Sequence, residues 1–68
     1  MEEVVNDVQK FRKEKKVTQE EFAEAIGVTR QTVISIEKGN YTPSVLLALR
    51  IAEYFGMSVN DIFSYKKK

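Results

Sequence analysis

The chain has 68 residues, enough for one small domain with little stability to spare. It contains no cysteine and no histidine, which excludes disulfides, thiolate metal sites, zinc fingers and triad-type nucleophiles. Eleven basic and ten acidic residues leave a net charge of +1, which taken alone speaks against a nucleic-acid partner, while 43% apolar and 31% charged residues describe a water-soluble globule.

The pattern predicts an all-α fold, a compact five-helix bundle in a single domain spanning residues 1–68, with no strands. The first helix is expected from Glu3 to Lys15, because Val4, Val8 and Phe11 recur at i, i+4 and i+7. Acidic residues open this segment and basic ones close it, as the helix dipole favours. The second starts at Thr18, where Thr18-Gln19-Glu20-Glu21 reads as a capping box, presents Phe22, Ala23 and Ile26 inward, and stops at Gly27. The third follows Thr29 and ends at Lys38 before Gly39. The fourth follows Ser44 and runs to Phe55 before Gly56. A short fifth helix covers Val59 to Phe63, and residues 64–68 form a basic tail read as a frayed end. The longest apolar run, Val45 to Leu49, is far below the roughly 20 residues of a membrane span. The start, Met1-Glu2-Glu3, is acidic where a secretory signal is basic, so the expected location is cytoplasmic and no membrane partner is expected.

The very short junction at Gly27 forces the second and third helices to cross sharply. Ala23 lies one turn before Gly27, and Phe22, Ile26, Val28, Val33 and Ile36 supply the apolar contacts. This is the pattern of a helix-turn-helix over about residues 19–38. On a helical wheel Val33 and Ile36 face the core, whereas Gln31, Ile34, Ser35 and Lys38 face outward with Arg30 and Thr32 on the flanks. An amide, a hydroxyl, a guanidinium and a methyl-bearing group on one face match the major-groove chemistry of adenine, base or phosphate, guanine and the thymine methyl. Arg30, Gln31, Ile34 and Ser35 are therefore the candidate base-reading residues. Gln19, at the start of the second helix, is a candidate phosphate holder, with Thr29 and Thr32 adding hydroxyls.

Val17-Thr18-Gln19-Glu20-Glu21-Phe22-Ala23, then Ile26-Gly27-Val28-Thr29-Arg30-Gln31-Thr32-Val33, then Ile36-Glu37-Lys38-Gly39 resembles the Xre family, the lambda-repressor-like helix-turn-helix regulators of the Cro and phage-repressor type. The resemblance continues through Pro43-Ser44, Leu49, Ile51-Ala52, Phe55-Gly56 and Asp61-Ile62-Phe63, and covers about residues 8–63. It implies a DNA-binding domain with the third helix in the major groove of double-stranded DNA. It also implies that Gln19 holds a phosphate and that the loop carrying Lys38, Asn40, Tyr41 and Thr42 runs along the backbone; Tyr41 is equally a candidate cap on the core. It further implies a structural ion pair between Arg12 and Glu37. Lys16 stands where the family often has glycine, and Asn40 where a basic residue is common.

The fourth helix holds more apolar surface than one core face needs. Val45, Ala48, Leu49, Ile51, Ala52 and Phe55 are expected inside, with Leu46 on the polar side and Leu47 and Tyr54 at the margin. A two-fold homodimer through Leu46, Leu47, Tyr54, Ile62, Phe63 and Tyr65 follows as an expectation, and with it a pseudo-palindromic operator.

The leading functional expectation is a transcriptional regulator, in the repressing sense. The alternatives are an antitoxin that binds both operator DNA and a toxin, or a protein-interaction module without DNA binding. A toxin or effector is the corresponding protein partner. No enzymatic activity, cofactor or metal is expected, because no metal-ligand cluster, phosphate-cradling loop or acid–base pair stands out.

Overall fold

A computed structural model describes residues 2–67. The elements in chain order are β1 (Glu2–Asn6), α1 (Val8–Glu14), α2 (Gln19–Ile26), α3 (Arg30–Lys38), α4 (Val45–Phe55), α5 (Val59–Ile62) and β2 (Phe63–Lys67). Five helices form the body, and β1 pairs antiparallel with β2 as a two-stranded ribbon beside it.

Local chemistry sets the helix boundaries. The Thr18 hydroxyl accepts from the Glu21 N–H (3.0 Å) while the Glu21 carboxylate accepts from the Thr18 N–H (2.8 Å), closing the capping box of α2. Thr29 and Ser44 cap α3 and α4 by accepting from Thr32 and Leu47 N–H groups. Gly39 ends α3 at φ 81°, and its N–H and that of Asn40 donate to the carbonyls of Ile36 and Ser35. The end of α4 repeats this arrangement, with Gly56 and Met57 donating to Glu53 and Ala52. At the end of α1 the left-handed position is occupied by Lys16, at φ 62°.

The core gathers Val8, Phe22, Ala23, Ile26, Val33, Ile36, Leu47, Ile51, Ala52, Ile62 and Phe63. Phe22 is fully buried at its centre, stacked on Phe55 and tilted against Tyr54, each with ring centroids 5.2 Å away. Phe11 closes the cluster against Phe55 at 6.0 Å.

The structure corrects three expectations. First, residues 2–6 are strand, not the first turns of a helix; Val4 pairs with Tyr65 and Val5 with Ser64. β-branched Val4 and Val5 favour extended backbone, and Glu3 stands opposite Lys66, an opposite-charge cross-strand pair. Second, Phe63 leaves α5 to open β2, and the basic segment is a paired strand through Lys67 rather than a frayed end; Lys68 lies outside the described residues. Third, α4 is rotated from its expected setting. Seating Tyr54 and Phe55 together in the aromatic cluster brings Leu47 inside, 7% exposed, and turns Val45 and Leu49 outward, 78% and 55% exposed.

The observed burial removes much of the expected dimer surface. Leu47, Ile62 and Phe63 are core residues, and Tyr54 is half-buried against Phe22; only Leu46 and Tyr65 of that set are exposed. No helix among the described residues is long and apolar enough to cross a membrane.

The left-handed Lys16 yields a stability prediction. Lys16→Gly relieves about 1–2 kcal/mol of backbone strain and gives back about 0.5–1 kcal/mol as unfolded-chain entropy. The expected outcome is a stabilisation of about 0.5–1 kcal/mol, read as a thermal midpoint several degrees higher by circular dichroism. An unchanged or lower midpoint contradicts it.

Candidate nucleic-acid interface

α2 and α3 pack directly on each other across the turn at Gly27, which sits at φ 77°. Ala23 is nearly inaccessible at this crossing, and Val33 and Ile36 of α3 are fully buried. The opposite face of α3 is thereby committed to the surface. Arg30, Gln31 and Lys38 are exposed there, while Thr32, Ile34 and Ser35 are half-buried.

A shallow depression runs along this face and into the loop after it, lined by Thr29, Gln31, Thr32, Ser35, Asn40 and Tyr41. Gln31 and Ser35 of the expected base-reading set are thus brought together with four of the expected phosphate-positioning residues. Tyr41 is 45% exposed at this rim, not a lid on the core. Arg30 and Ile34 lie outside the depression, and Lys38 borders a separate groove with Glu3, Val4, Val5, Asn6, Glu37 and Gly39. The Thr29 and Thr32 hydroxyls are 3.1 Å apart and hydrogen-bonded to each other, which presets both at the start of α3.

Beneath this surface lies a buried polar network. Arg12 is 8% exposed. Its Nε and Nη2 donate to the two carboxylate oxygens of Glu37 at 2.6 and 3.2 Å, a bidentate geometry. Its Nη1 donates to the Val17 carbonyl at 2.9 Å. Gln19 Nε2 donates to Glu37 Oε1 at 3.0 Å, so the residue expected to hold a phosphate is oriented by the same carboxylate. Glu37 is the acid of α3, and its charge is taken up by Arg12; the cations Arg30 and Lys38 face outward from the same helix.

One participant was not legible in the sequence. The Asn6 side chain donates through Nδ2 to the Ile36 carbonyl at 3.0 Å and accepts from the Val8 N–H at 3.0 Å. Nothing in the local pattern marks it, because its partner lies 30 residues away. Among the described residues no group of acids is placed to hold a metal ion.

A compact helical body, a tight α2–α3 crossing and a polar, lightly cationic outer face on α3 define a DNA-binding helix-turn-helix protein. A family model described as "Helix-turn-helix" matches residues 8–62, and the chain belongs to this family of Xre-type transcriptional regulators, which is non-enzymatic. The matched span takes in all five helices and excludes the ribbon. An uncharacterized HTH-type transcriptional regulator of Methanocaldococcus jannaschii is 48% identical over 61 residues, covering 90% of this chain and 92% of that protein. RstR, a cryptic-phage transcriptional repressor of Vibrio cholerae, is 30% identical over 57 residues, covering 84% of this chain and 51% of RstR. The crystal structure of the clp gene regulator ClgR of Corynebacterium glutamicum superposes with a TM-score of 0.73 at 33% identity, covering 79% of this chain and 57% of ClgR.

The buried network predicts a large penalty for stranding its cation. Glu37→Ala leaves Arg12 buried and unpaired, and should cost about 3–5 kcal/mol in a urea titration. The paired replacement Arg12→Met with Glu37→Leu should cost clearly less than the two single changes added together. Additive losses would show that the two side chains are not energetically coupled.

Proposed function

We propose that this regulator is a sequence-specific repressor that binds double-stranded DNA as a homodimer, with α3 in the major groove. The observation that carries the reading is the outer face of α3, where Gln31 and Ser35 continue without a break into Asn40 and Tyr41 along one depression. Such a face offers hydrogen bonds and methyl contacts to base edges at one end and phosphate contacts at the other. In this reading Arg30, Gln31, Ile34 and Ser35 read bases. Gln19, Thr29, Thr32, Lys38, Asn40 and Tyr41 position the backbone. Gln19 keeps a second N–H beside the one engaged by Glu37, and that second donor is the one directed to a phosphate.

The homodimer is assigned to the exposed apolar side chains at the start of α4, Val45, Leu46 and Leu49. They follow directly on the loop of residues 39–44, so a two-fold contact there sets the spacing of two α3 helices. A spacing of about 34 Å would match successive major grooves on one side of the duplex and select a pseudo-palindromic site. The repressing sense is supported by the likeness to RstR and by simple occlusion, since a bound dimer covers the groove that another protein would need.

Two outcomes test this. Against a duplex selected from a random pool by the wild-type protein, Arg30→Ala or Gln31→Ala should lower discrimination over a scrambled duplex by about tenfold or more, the value of one lost bidentate base contact. Gln19→Ala should weaken both duplexes alike and flatten neither the ranking nor the preference. Equal behaviour of all three variants and wild type would remove α3 as the reading helix. By light scattering the wild-type chain should be dimeric, and Leu46→Glu with Leu49→Glu monomeric but folded. A monomeric wild type both free and on DNA would reject the homodimer.

A further inference from the structure

We propose that Asn6 is a positioning residue for the recognition helix, and that the ribbon is the arm that carries it; the proposal rests on the reading of α3 as the DNA-contacting helix. The side chain bridges two helices with one amide. Its oxygen accepts from the Val8 N–H and so caps the start of α1, a task that the N-cap residue Asp7 does not perform with its own side chain. Its Nδ2 donates to the Ile36 carbonyl in the last turn of α3. A carboxamide presents an acceptor and a donor in one plane; a carboxylate keeps the first and loses the second, and a methyl loses both.

The amide is held from behind. The backbone of Asn6 is in register with Phe63, a core residue, and the Asp7 N–H donates to the Ile62 carbonyl at 3.0 Å. On the same ribbon face Val4 and Tyr65 line a groove with Gly39 and Thr42, at the exit of α3. The last turn of α3 is therefore gripped at two consecutive residues by separate parts of the fold. Glu37 is held by Arg12 and Gln19 through its side chain, and Ile36 is held by Asn6 through its carbonyl. A helix pinned at one residue can still pivot about it. The second grip, displaced along and around the helix, removes that freedom, and with it the swing of Gln31 and Ser35 relative to the scaffold.

The distinguishing variant is Asn6→Asp, compared with Asn6→Ala. The carboxylate introduced by Asn6→Asp would keep the acceptor for Val8 and place a negative charge at the start of α1, where the dipole favours it. If Asn6 served only as a cap, Asn6→Asp would match or exceed wild type in every measurement. As a grip on α3 it must fail, because an oxygen then faces the Ile36 carbonyl.

Two readouts decide. Amide hydrogen exchange by NMR has an internal control, since Gly39 and Asn40 close α3 with the same bonds by which Gly56 and Met57 close α4. In Asn6→Asp the Gly39 and Asn40 amides should exchange about tenfold faster relative to Gly56 and Met57. On the selected and scrambled duplexes, discrimination should fall about tenfold in both variants. The proposal is overturned if the two pairs of amides accelerate together or not at all, or if Asn6→Asp discriminates as wild type does. Should the wild-type chain select no duplex, the DNA reading fails, and the exchange ratio still decides whether Asn6 grips α3.

Discussion

The structure depends on the contact between Arg12 and Glu37. Hydrophobic burial of Phe22, Val33 and Ile36 supplies driving force, but the effect itself is non-directional. A buried ion pair is not. Removing both charges from water costs several kcal/mol per ion, and the cost is offset only when geometry and partners are right. Here Arg12 spends its three nitrogens on Glu37 and Val17, and Glu37 takes a further bond from Gln19. The network touches α1, the turn after it, α2 and α3, and no buried side-chain polar atom among the described residues lacks a partner. Satisfying this one guanidinium ties the last turn of α3 to α1, to the turn after α1 and to α2.

The same contact resolves the neutral charge balance. An average of +1 hides opposed blocks: glutamates on α2, cations on α1 and the C-terminal strand, and an outer face of α3 from which the helix's one acid has been withdrawn into the interior. What remains outside on α3 is Arg30 and Lys38 among amides and hydroxyls. On the proposed reading, a surface of that kind gains little from non-specific attraction to phosphate and draws its preference from shape and from individual donors and acceptors.

Much of the helical body was legible in the sequence because its signals are local. Thr18 and Glu21, Thr29, Ser44 and the left-handed Gly27, Gly39 and Gly56 fix helix ends within a few residues of themselves. The Arg12–Glu37 pair was legible through family resemblance alone, since nothing in the spacing of those two residues announces a contact. The ribbon was not legible. Val4 sits at helical spacing from Val8 and Phe11, and its true partner Tyr65 is at the far end of the chain. The setting of α4 was missed for a different reason. Eleven residues with apolar side chains on most sides admit more than one inward face, and the choice is made by the fit of Tyr54 and Phe55 around Phe22, not by the wheel.

The ribbon joins the two most distant parts of the chain, and this gives the domain an order of assembly. Val4 has no partner until Tyr65 has been made, so closing β1 on β2 spans the longest loop and carries the largest entropy of closure. The five helices meet neighbours close in sequence and collapse first, in the manner of low-contact-order bundles. Reversed, the same asymmetry makes the ribbon the first part to open, and the segment before Val8 the natural point of entry for a protease.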